Sequence, residues 1–264
     1  MREKLPHVAL PLEEQDEDDR LRLVVTCCHP ALSRDAQVAL TLRTVCGLRT
    51  AEIASGFLVS ESAIVQRLTR ARRKIAVAIP YRVPAPDELA DRVSAVLAVI
   101  YLLFNEGYLC SAGDVPQRHD LTADAEWLAA LLARLMPAEP EVLGLLTLIR
   151  LHRARAAARF DPDGRLVLLR DQDRGRWNRA GIAAAAGLLV RAGRLGRPGP
   201  YQLQAAIVAC HAEAPSWAGT DWLQILLLYD ALLGHLPSPV IRLHRALSLT
   251  GNPAERALLE QRLA

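Results

Sequence analysis

The sequence has little that would suit a secreted or membrane-embedded protein. Its longest apolar runs, residues 96–104 and 181–190, are much shorter than the roughly 20 residues that a membrane-spanning helix needs. No secretory signal sequence is recognisable, and the five cysteines are an odd set without a regular spacing. These absences predict a cytoplasmic protein with reduced thiols and no membrane partner.

The sequence also lacks a recognisable catalytic constellation. Its histidines are dispersed, and none lies near a nucleophile elbow or a glycine-rich phosphate loop. One group of carboxylates could form a metal or hydrolase site, but its spacing does not match a calcium loop, and caps and ion pairs with neighbouring arginines are the simpler interpretation. That group comprises Asp161, Asp163, Asp171 and Asp173.

A zinc site at the adjacent Cys27, Cys28 and His29 is a second alternative, but no further ligands follow at a zinc-finger spacing. Core packing explains these cysteines more simply. We therefore predict that the protein is not an enzyme and has no cofactor and no bound metal.

The sequence does contain ample material for a core and a strong local contrast of charge. Its 264 residues, 51% of them apolar, exceed one typical domain and predict two. The formal net charge is only +3, yet residues 13–19 are strongly acidic and residues 67–74 carry five cations without an acid. The basic cluster points to a polyanionic partner.

Residues 50–78 have the pattern of a helix-turn-helix. Thr50 is predicted to cap a short helix, residues 56–59 to form a tight corner, and Ser60 to cap a longer amphipathic helix. At helical periodicity, the side of this helix predicted to be buried carries Ile64, Leu68, Ala71 and Ile75. The opposite side carries Ser62, Gln66, Thr69, Arg70 and Arg73.

The chemistry of the second side suits duplex DNA. Gln66 has both a donor and an acceptor for a base edge, and Arg70 suits guanine or phosphate. Thr69 is predicted to lie in the groove, while Arg67 and Arg73 are predicted to neutralise phosphates. Arg67 lies near the edge of this face, so an ion pair with Glu61 or Glu52 is an alternative for it.

Four segments are predicted along the chain. Residues 1–17 are predicted to be a flexible acidic leader, residues 18–79 a compact four-helix unit, and the proline-rich residues 80–86 a linker. In the four-helix unit, Ser33 is predicted to cap a helix that Gly47 ends.

Residues 87–264 are predicted to form a helical domain. A turn is predicted at residues 161–164, followed by a short strand or extended segment at 166–169. The alternation of large and small residues in 222–246 resembles a degenerate tetratricopeptide unit, which predicts a stack of helices with a groove for a protein or peptide. Helices are predicted at residues 89–106, 122–136 (capped by Thr122), 141–160, 177–194, 201–213, 222–233 and 239–250.

Several motifs resemble those of a known family. They are LTLR (40–43), GL (47–48), EIA (52–54) and AIVQRLTRAR (63–72), which are similar without gaps to the promoter-binding fourth region of extracytoplasmic-function RNA polymerase sigma factors. YLLFNEGY (101–108) and DQDRGRW (171–177) resemble the group of these factors that has a long helical, tetratricopeptide-like C-terminal extension.

The resemblance implies an all-α protein that recognises the −35 promoter element and docks on the β flap of RNA polymerase. It implies that Arg43 contacts the DNA backbone, and that the C-terminal helices regulate activity. The family's region-two domain, which melts the −10 element, has no counterpart in residues 1–17. The alternative is a helical protein-binding scaffold whose basic helix is merely a solvated face.

Overall fold

The computed structural model describes residues 19, 22–79, 86–108 and 118–249. These residues divide into two units, the first extending to Glu106 and the second beginning at Gly107. Every regular element within the described ranges is helical, which confirms the all-α prediction. The predicted leader, residues 1–17, and residues 80–85 of the predicted linker lie outside these ranges, and Pro86 is the first residue of a helix.

Five helices lie in the described residues of the first unit. Helix α1 includes residues 22–27, and it is followed by α2 (Arg34–Thr44), α3 (Thr50–Phe57), α4 (Glu61–Ala78) and α5 (Pro86–Tyr108), whose last two residues belong to the second unit. Helix α2 packs against α3 and α4, and α3 also packs against α4. These contacts bury Leu40, Ile53 and Ile64, so that α4 is supported from one side.

Two polar side chains fix the start of α2, and a glycine turn follows its end. Ser33 is its N-cap, since the hydroxyl accepts a hydrogen bond from Ala36 N at 3.4 Å, as predicted. The buried Gln37 amide donates to the carbonyls of the preceding loop at 3.0–3.3 Å. After the helix, Gly47 adopts φ +65°, a left-handed conformation that glycine tolerates best.

The described part of the second unit contains six further α-helices, of which α7 packs against three others. The six are α6 (His119–Leu135), α7 (Pro140–Ala154), α8 (Arg179–Gly193), α9 (Pro200–Glu213), α10 (Trp222–His235) and α11 (Pro239–Leu249). Helix α7 packs against α6, α8 and α9, so residues 142–149 are all buried. Helices α9, α10 and α11 then pack in succession. No helix in the described ranges is long and apolar enough to span a membrane.

Two sequence predictions in this unit are wrong, and a third holds in only one of its alternatives. Helix α7 ends at Ala154 rather than at residue 160, because the Ala154 carbonyl accepts a long-range hydrogen bond from Asn178 N at 2.8 Å. Residues 166–169 form no strand, since Leu166 makes only an isolated bridge with Phe160, but Leu168 is extended, which agrees with the alternative of a short extended segment before Leu169. Thr122 is not a cap, because α6 already begins at His119 and the Thr122 hydroxyl donates to the His119 carbonyl at 3.0 Å.

The predicted turn at residues 161–164 is confirmed. The Asp161 carboxylate accepts hydrogen bonds from Asp163 N at 2.9 Å and Arg165 N at 2.8 Å, and Gly164 has φ +78°. The neighbouring aspartates make the predicted caps and ion pairs, for example Asp163 with Arg165 at 3.0 Å.

A close contact joins α7 to the start of α9. The Glu141 carboxylate accepts hydrogen bonds from Tyr201 N at 2.9 Å and Gln202 N at 3.0 Å, two amides that the first turn of α9 leaves unpaired. Burial raises the pKa of Glu141. Gly144 lies so near α9 that a Cβ atom there would be 2.6 Å from Gln202 N. The contact therefore requires a residue without a side chain at position 144.

Candidate nucleic-acid interface

The corner between α3 and α4 is formed by one left-handed leucine. Leu58 has φ 53° and ψ 42°, while Gly56, in the predicted corner at residues 56–59, is still helical. Leu58 is 93% exposed, so no packing compensates the cost of this conformation. The prediction that Thr50 caps α3 is wrong, because Thr50 is already helical and the Glu52 carboxylate instead accepts a hydrogen bond from Arg49 N at 2.6 Å.

Helix α4 begins as predicted and presents two different sides. The Ser60 hydroxyl accepts a hydrogen bond from Ala63 N at 3.3 Å, which confirms Ser60 as the N-cap. Ile64, Leu68 and Ala71 are buried, whereas Ile75 is only half-buried. The core of the unit thus fixes the rotation of α4 about its own axis.

Five of the predicted DNA-binding residues lie on the solvent side of α4. They are Ser62, Gln66, Thr69, Arg70 and Arg73, and all five are exposed. The Thr69 hydroxyl donates to the Val65 carbonyl at 2.8 Å, and Arg70 Nε donates to the Gln66 carbonyl at 3.3 Å. Both contacts stay within the helix, so the hydroxyl lone pairs of Thr69 and the outer guanidinium nitrogens of Arg70 face solvent.

Arg67 differs from the other cations because it points back towards the unit. Its Nη2 lies 3.4 Å from a carboxylate oxygen of Asp35, and its guanidinium carbon lies 5.0 Å from the centre of the Phe57 ring. The Arg67 Nη1 atom is buried and has no hydrogen-bond partner. The alternative pairing of Arg67 with Glu61 or Glu52 is therefore wrong, and its contact with phosphate stays a prediction.

Arg43 is half-buried at the end of α2. Its Nη1 atom donates a hydrogen bond to the Leu48 carbonyl at 2.8 Å, across the glycine turn that follows the helix. This hydrogen bond stabilises the turn. The backbone contact that the family resemblance implies for Arg43 stays a prediction.

A cleft of about 250 Å³ lies beside the exposed side of α4, and the sequence did not reveal it. Its walls are Ala31, Leu32, Ser33, Ala36, Arg67, Arg70, Ala71 and Lys74. The Lys74 ammonium donates to the Ala31 carbonyl, which places this cation at the start of α2. Cations and a helix N-terminus together favour an anionic oxygen. The cleft therefore offers a site for an anionic oxygen next to the residues that the sequence predicts to contact bases.

The two adjacent cysteines lie in the core of the first unit. Burial raises the pKa of the Cys27 thiol, and raises that of Cys28 to about 12. Protonated thiols are poor metal ligands. Among the described residues, no group of three or more His, Cys, Asp or Glu side chains is arranged to hold a metal ion.

Comparison with known protein families identifies the first part of the chain. Residues 22–75 match the family described as sigma-70, region 4. This segment is similar to sigma-70 region 4. The match covers α2, α3 and nearly all of α4, which are the elements that form the exposed basic face and its support. This similarity supports a DNA-binding role of the sigma-factor type.

The remaining comparisons concern the rest of the chain. Residues 92–193 match a family of unknown function (DUF6596). An uncharacterized protein of Rhizobium meliloti (strain 1021) is 48% identical over 243 residues, which are 92% of this chain. The chain spans only 57% of the length of that relative. No solved structure matches.

Proposed function

We propose that the region 4 domain recognises the −35 promoter element and docks on the β flap of RNA polymerase, as part of an extracytoplasmic-function type of transcription initiation factor. This function is non-catalytic. One observation supports it above the others: Ser62, Gln66, Thr69, Arg70 and Arg73 are all exposed on one side of α4, while its opposite side is buried.

The roles of these residues follow from their chemistry. A helix in the major groove of duplex DNA recognises base edges through bidentate side chains, and Gln66 and Arg70 are of that kind. The Arg73 guanidinium is suited to phosphate, and the cleft at Lys74 would hold a second phosphate on the α2 side of the helix. Arg67 would position α4 through Asp35.

Selection of duplexes from a randomised library by the full chain tests whether DNA is recognised by sequence. We expect a short consensus, whose binding by the full chain is then measured by fluorescence anisotropy at two salt concentrations. If the chain enriches no sequence and binds no duplex even at low salt, the alternative of a helical scaffold with a merely solvated basic helix is correct.

Substitutions then separate base contacts from phosphate contacts. Replacing Gln66 or Arg70 by Ala should weaken binding of the selected duplex by about 1–3 kcal/mol and relax the preference at one or two base pairs. Val77→Ala is a matched control, since Val77 is exposed on the same helix beyond the predicted contacts. An equal loss on selected and random duplexes would contradict base recognition.

We further propose that the helices of the second unit form a tetratricopeptide-like surface that binds a protein and so regulates the factor. The successive packing of α9, α10 and α11 supports this, as do two apolar side chains one turn apart on α10, Leu223 at 68% and Leu227 at 60% exposure. Changing both to Glu should alter binding to purified RNA polymerase core enzyme while leaving binding to the selected duplex unchanged. Identical polymerase affinity would contradict this role.

A further inference from the structure

Four arginines and one tryptophan form a cluster in the second unit, which we call the Trp177 cluster: Arg155, Arg159, Arg174, Arg179 and Trp177. The guanidinium carbons of Arg174, Arg179 and Arg155 lie 4.5, 5.6 and 5.7 Å from the centre of the Trp177 ring system. Arg155 is 5% exposed, Arg159 6% and Trp177 4%. The cluster extends from this buried end to Arg179, which is exposed at the surface.

Three arginines of the cluster donate hydrogen bonds to carbonyls at the carboxyl ends of helices. Arg174 Nη1 donates to the carbonyls of His211 at 2.7 Å and Ala214 at 2.8 Å, at the end of α9. Arg159 Nη1 donates to the Tyr108 carbonyl at 2.5 Å, at the end of α5. Helix C-termini carry partial negative charge, so these contacts offset part of the positive charge of the cluster.

Carboxylates, the usual partners of buried arginines, are missing from the cluster. No Asp or Glu among the described residues forms an ion pair with Arg155, Arg159 or Arg174. Burial lowers the pKa of each of these three guanidinium groups, and repulsion from neighbouring arginines lowers that of Arg159 and Arg174 further. Buried charge of one sign is costly unless an opposite charge joins it.

Three buried N–H donors around the indole remain without a partner. They are Arg155 Nε, Arg174 Nη2 and Trp177 Nε1. Buried donors of this kind are nearly always paired in folded proteins. Guanidinium and indole N–H groups grouped around one ring without a carboxylate are a donor set that suits an oxyanion.

We propose that the Trp177 cluster is a binding site for a small oxyanion, in which Arg155, Arg174 and Trp177 donate hydrogen bonds to its oxygen atoms. The ligand is of the carboxylate or phosphate class. It enters from the side of Arg179, the exposed member of the cluster. This site is independent of the DNA-binding face, so its failure would leave the proposed function untouched.

Calorimetric titration of the full chain with inorganic phosphate and, separately, with citrate tests the proposal at an ionic strength held constant with sodium chloride. We expect saturable binding of at least one of the two anions, and a thermal unfolding midpoint that rises with its concentration. Phosphate alone would indicate a phosphorylated ligand, and citrate alone would indicate a carboxylate. If neither anion binds saturably at millimolar concentrations, the proposal is wrong.

Two variants and a control locate the site. Trp177→Phe keeps an aromatic ring, although a smaller one, and loses the indole N–H, and Arg155→Met removes a buried charge with little loss of volume, so both should fold. Each should weaken anion binding at least about tenfold, the usual effect of losing a hydrogen bond to a charged group. Arg165→Gln, at an exposed arginine paired with Asp163, should leave binding unchanged. Equal affinity in all four proteins would show that the anion binds elsewhere and overturn the assignment.

Discussion

Arg67 and Arg73 lie on the same helix, but the structure predicts opposite consequences for their replacement by Ala. Arg67→Ala removes an ion pair with Asp35 and a cation–π contact with Phe57. The ion pair contributes about 0.2–1 kcal/mol, because the Asp35 side chain is 64% exposed, and the cation–π contact contributes about 0.5–1 kcal/mol. We therefore expect Arg67→Ala to lower the free energy of unfolding by about 1–2 kcal/mol. Arg73 is exposed, so Arg73→Ala should change it by less than about 0.5 kcal/mol.

The same two substitutions should affect DNA binding in the reverse order. If Arg73 neutralises one phosphate, its loss reduces the slope of log affinity against log salt concentration by about 0.9, because one fewer counterion is released. Arg67→Ala should leave this slope unchanged, since its guanidinium is occupied within the protein. The sequence-based prediction that Arg67 binds phosphate is tested by the same measurement.

The assay is fluorescence anisotropy of a labelled duplex over a series of salt concentrations, together with thermal unfolding of each variant. For a unit of 60–100 residues, each kcal/mol corresponds to about 4–8 °C in the unfolding midpoint, so the expected loss for Arg67→Ala is readily measured. A slope that falls equally in both variants would show that Arg67 also contacts the backbone. An unchanged slope for Arg73→Ala would refute the placement of DNA along the exposed side of α4.

Three further changes test the fold itself. Leu58→Gly should stabilise the first unit by about 1 kcal/mol, because glycine adopts φ 53° without steric cost and Leu58 loses no packing. Gly144→Ala should destabilise the second unit by about 1–3 kcal/mol, since its Cβ would lie 2.6 Å from Gln202 N. Burial lowers the pKa of His152, so the folded state binds fewer protons than the unfolded chain, and stability should fall as pH drops below about 6.5, the ordinary pKa of histidine.

Chemical denaturation measures all three effects, and two of them have a control variant. Gly187→Ala, on α8 where a Cβ would meet nothing within 4 Å, should be neutral or stabilising, in contrast to Gly144→Ala. In the His152→Asn protein, the asparagine keeps a hydrogen-bond acceptor near the position of Nδ1 but does not titrate. The free energy of unfolding of this variant should therefore lose the pH dependence between pH 5 and pH 7 that we attribute to His152. A Leu58→Gly protein less stable than the wild type would refute the idea of uncompensated strain at the corner.

Local sequence patterns predicted α4 well because its environment repeats with the helical period. Ile64, Leu68 and Ala71 are buried and the polar residues opposite them are exposed, as a spacing of 3.6 residues requires. The partner of Arg67 could not be predicted in this way. Asp35 lies on another helix, and only the packing of α2 on α4 brings the two charges together.

Turn and cap positions were less predictable, because several consecutive residues were each chemically suited to be the N-cap or the turn residue. Ser33 and Ser60 do cap their helices, whereas Thr50 and Thr122 lie inside theirs. At the corner of the helix-turn-helix, a glycine stands within two residues of the position that needs φ > 0, yet Leu58 occupies it. The packing of α3 against α4 outweighs the preference of that single residue.

The Trp177 cluster shows how a group of like charges can persist in a folded protein. Its arginines all lie between residues 155 and 179, but the helix ends that they contact are distant in sequence, because the carboxyl ends of α5, α7 and α9 lie together there. Each helix end contributes partial negative charge and unpaired carbonyls, which stabilise guanidinium groups without using a carboxylate. The second unit can therefore fold with the site empty. Since the helix ends satisfy only some of the N–H groups, those that remain on Arg155, Arg174 and Trp177 are available to a ligand.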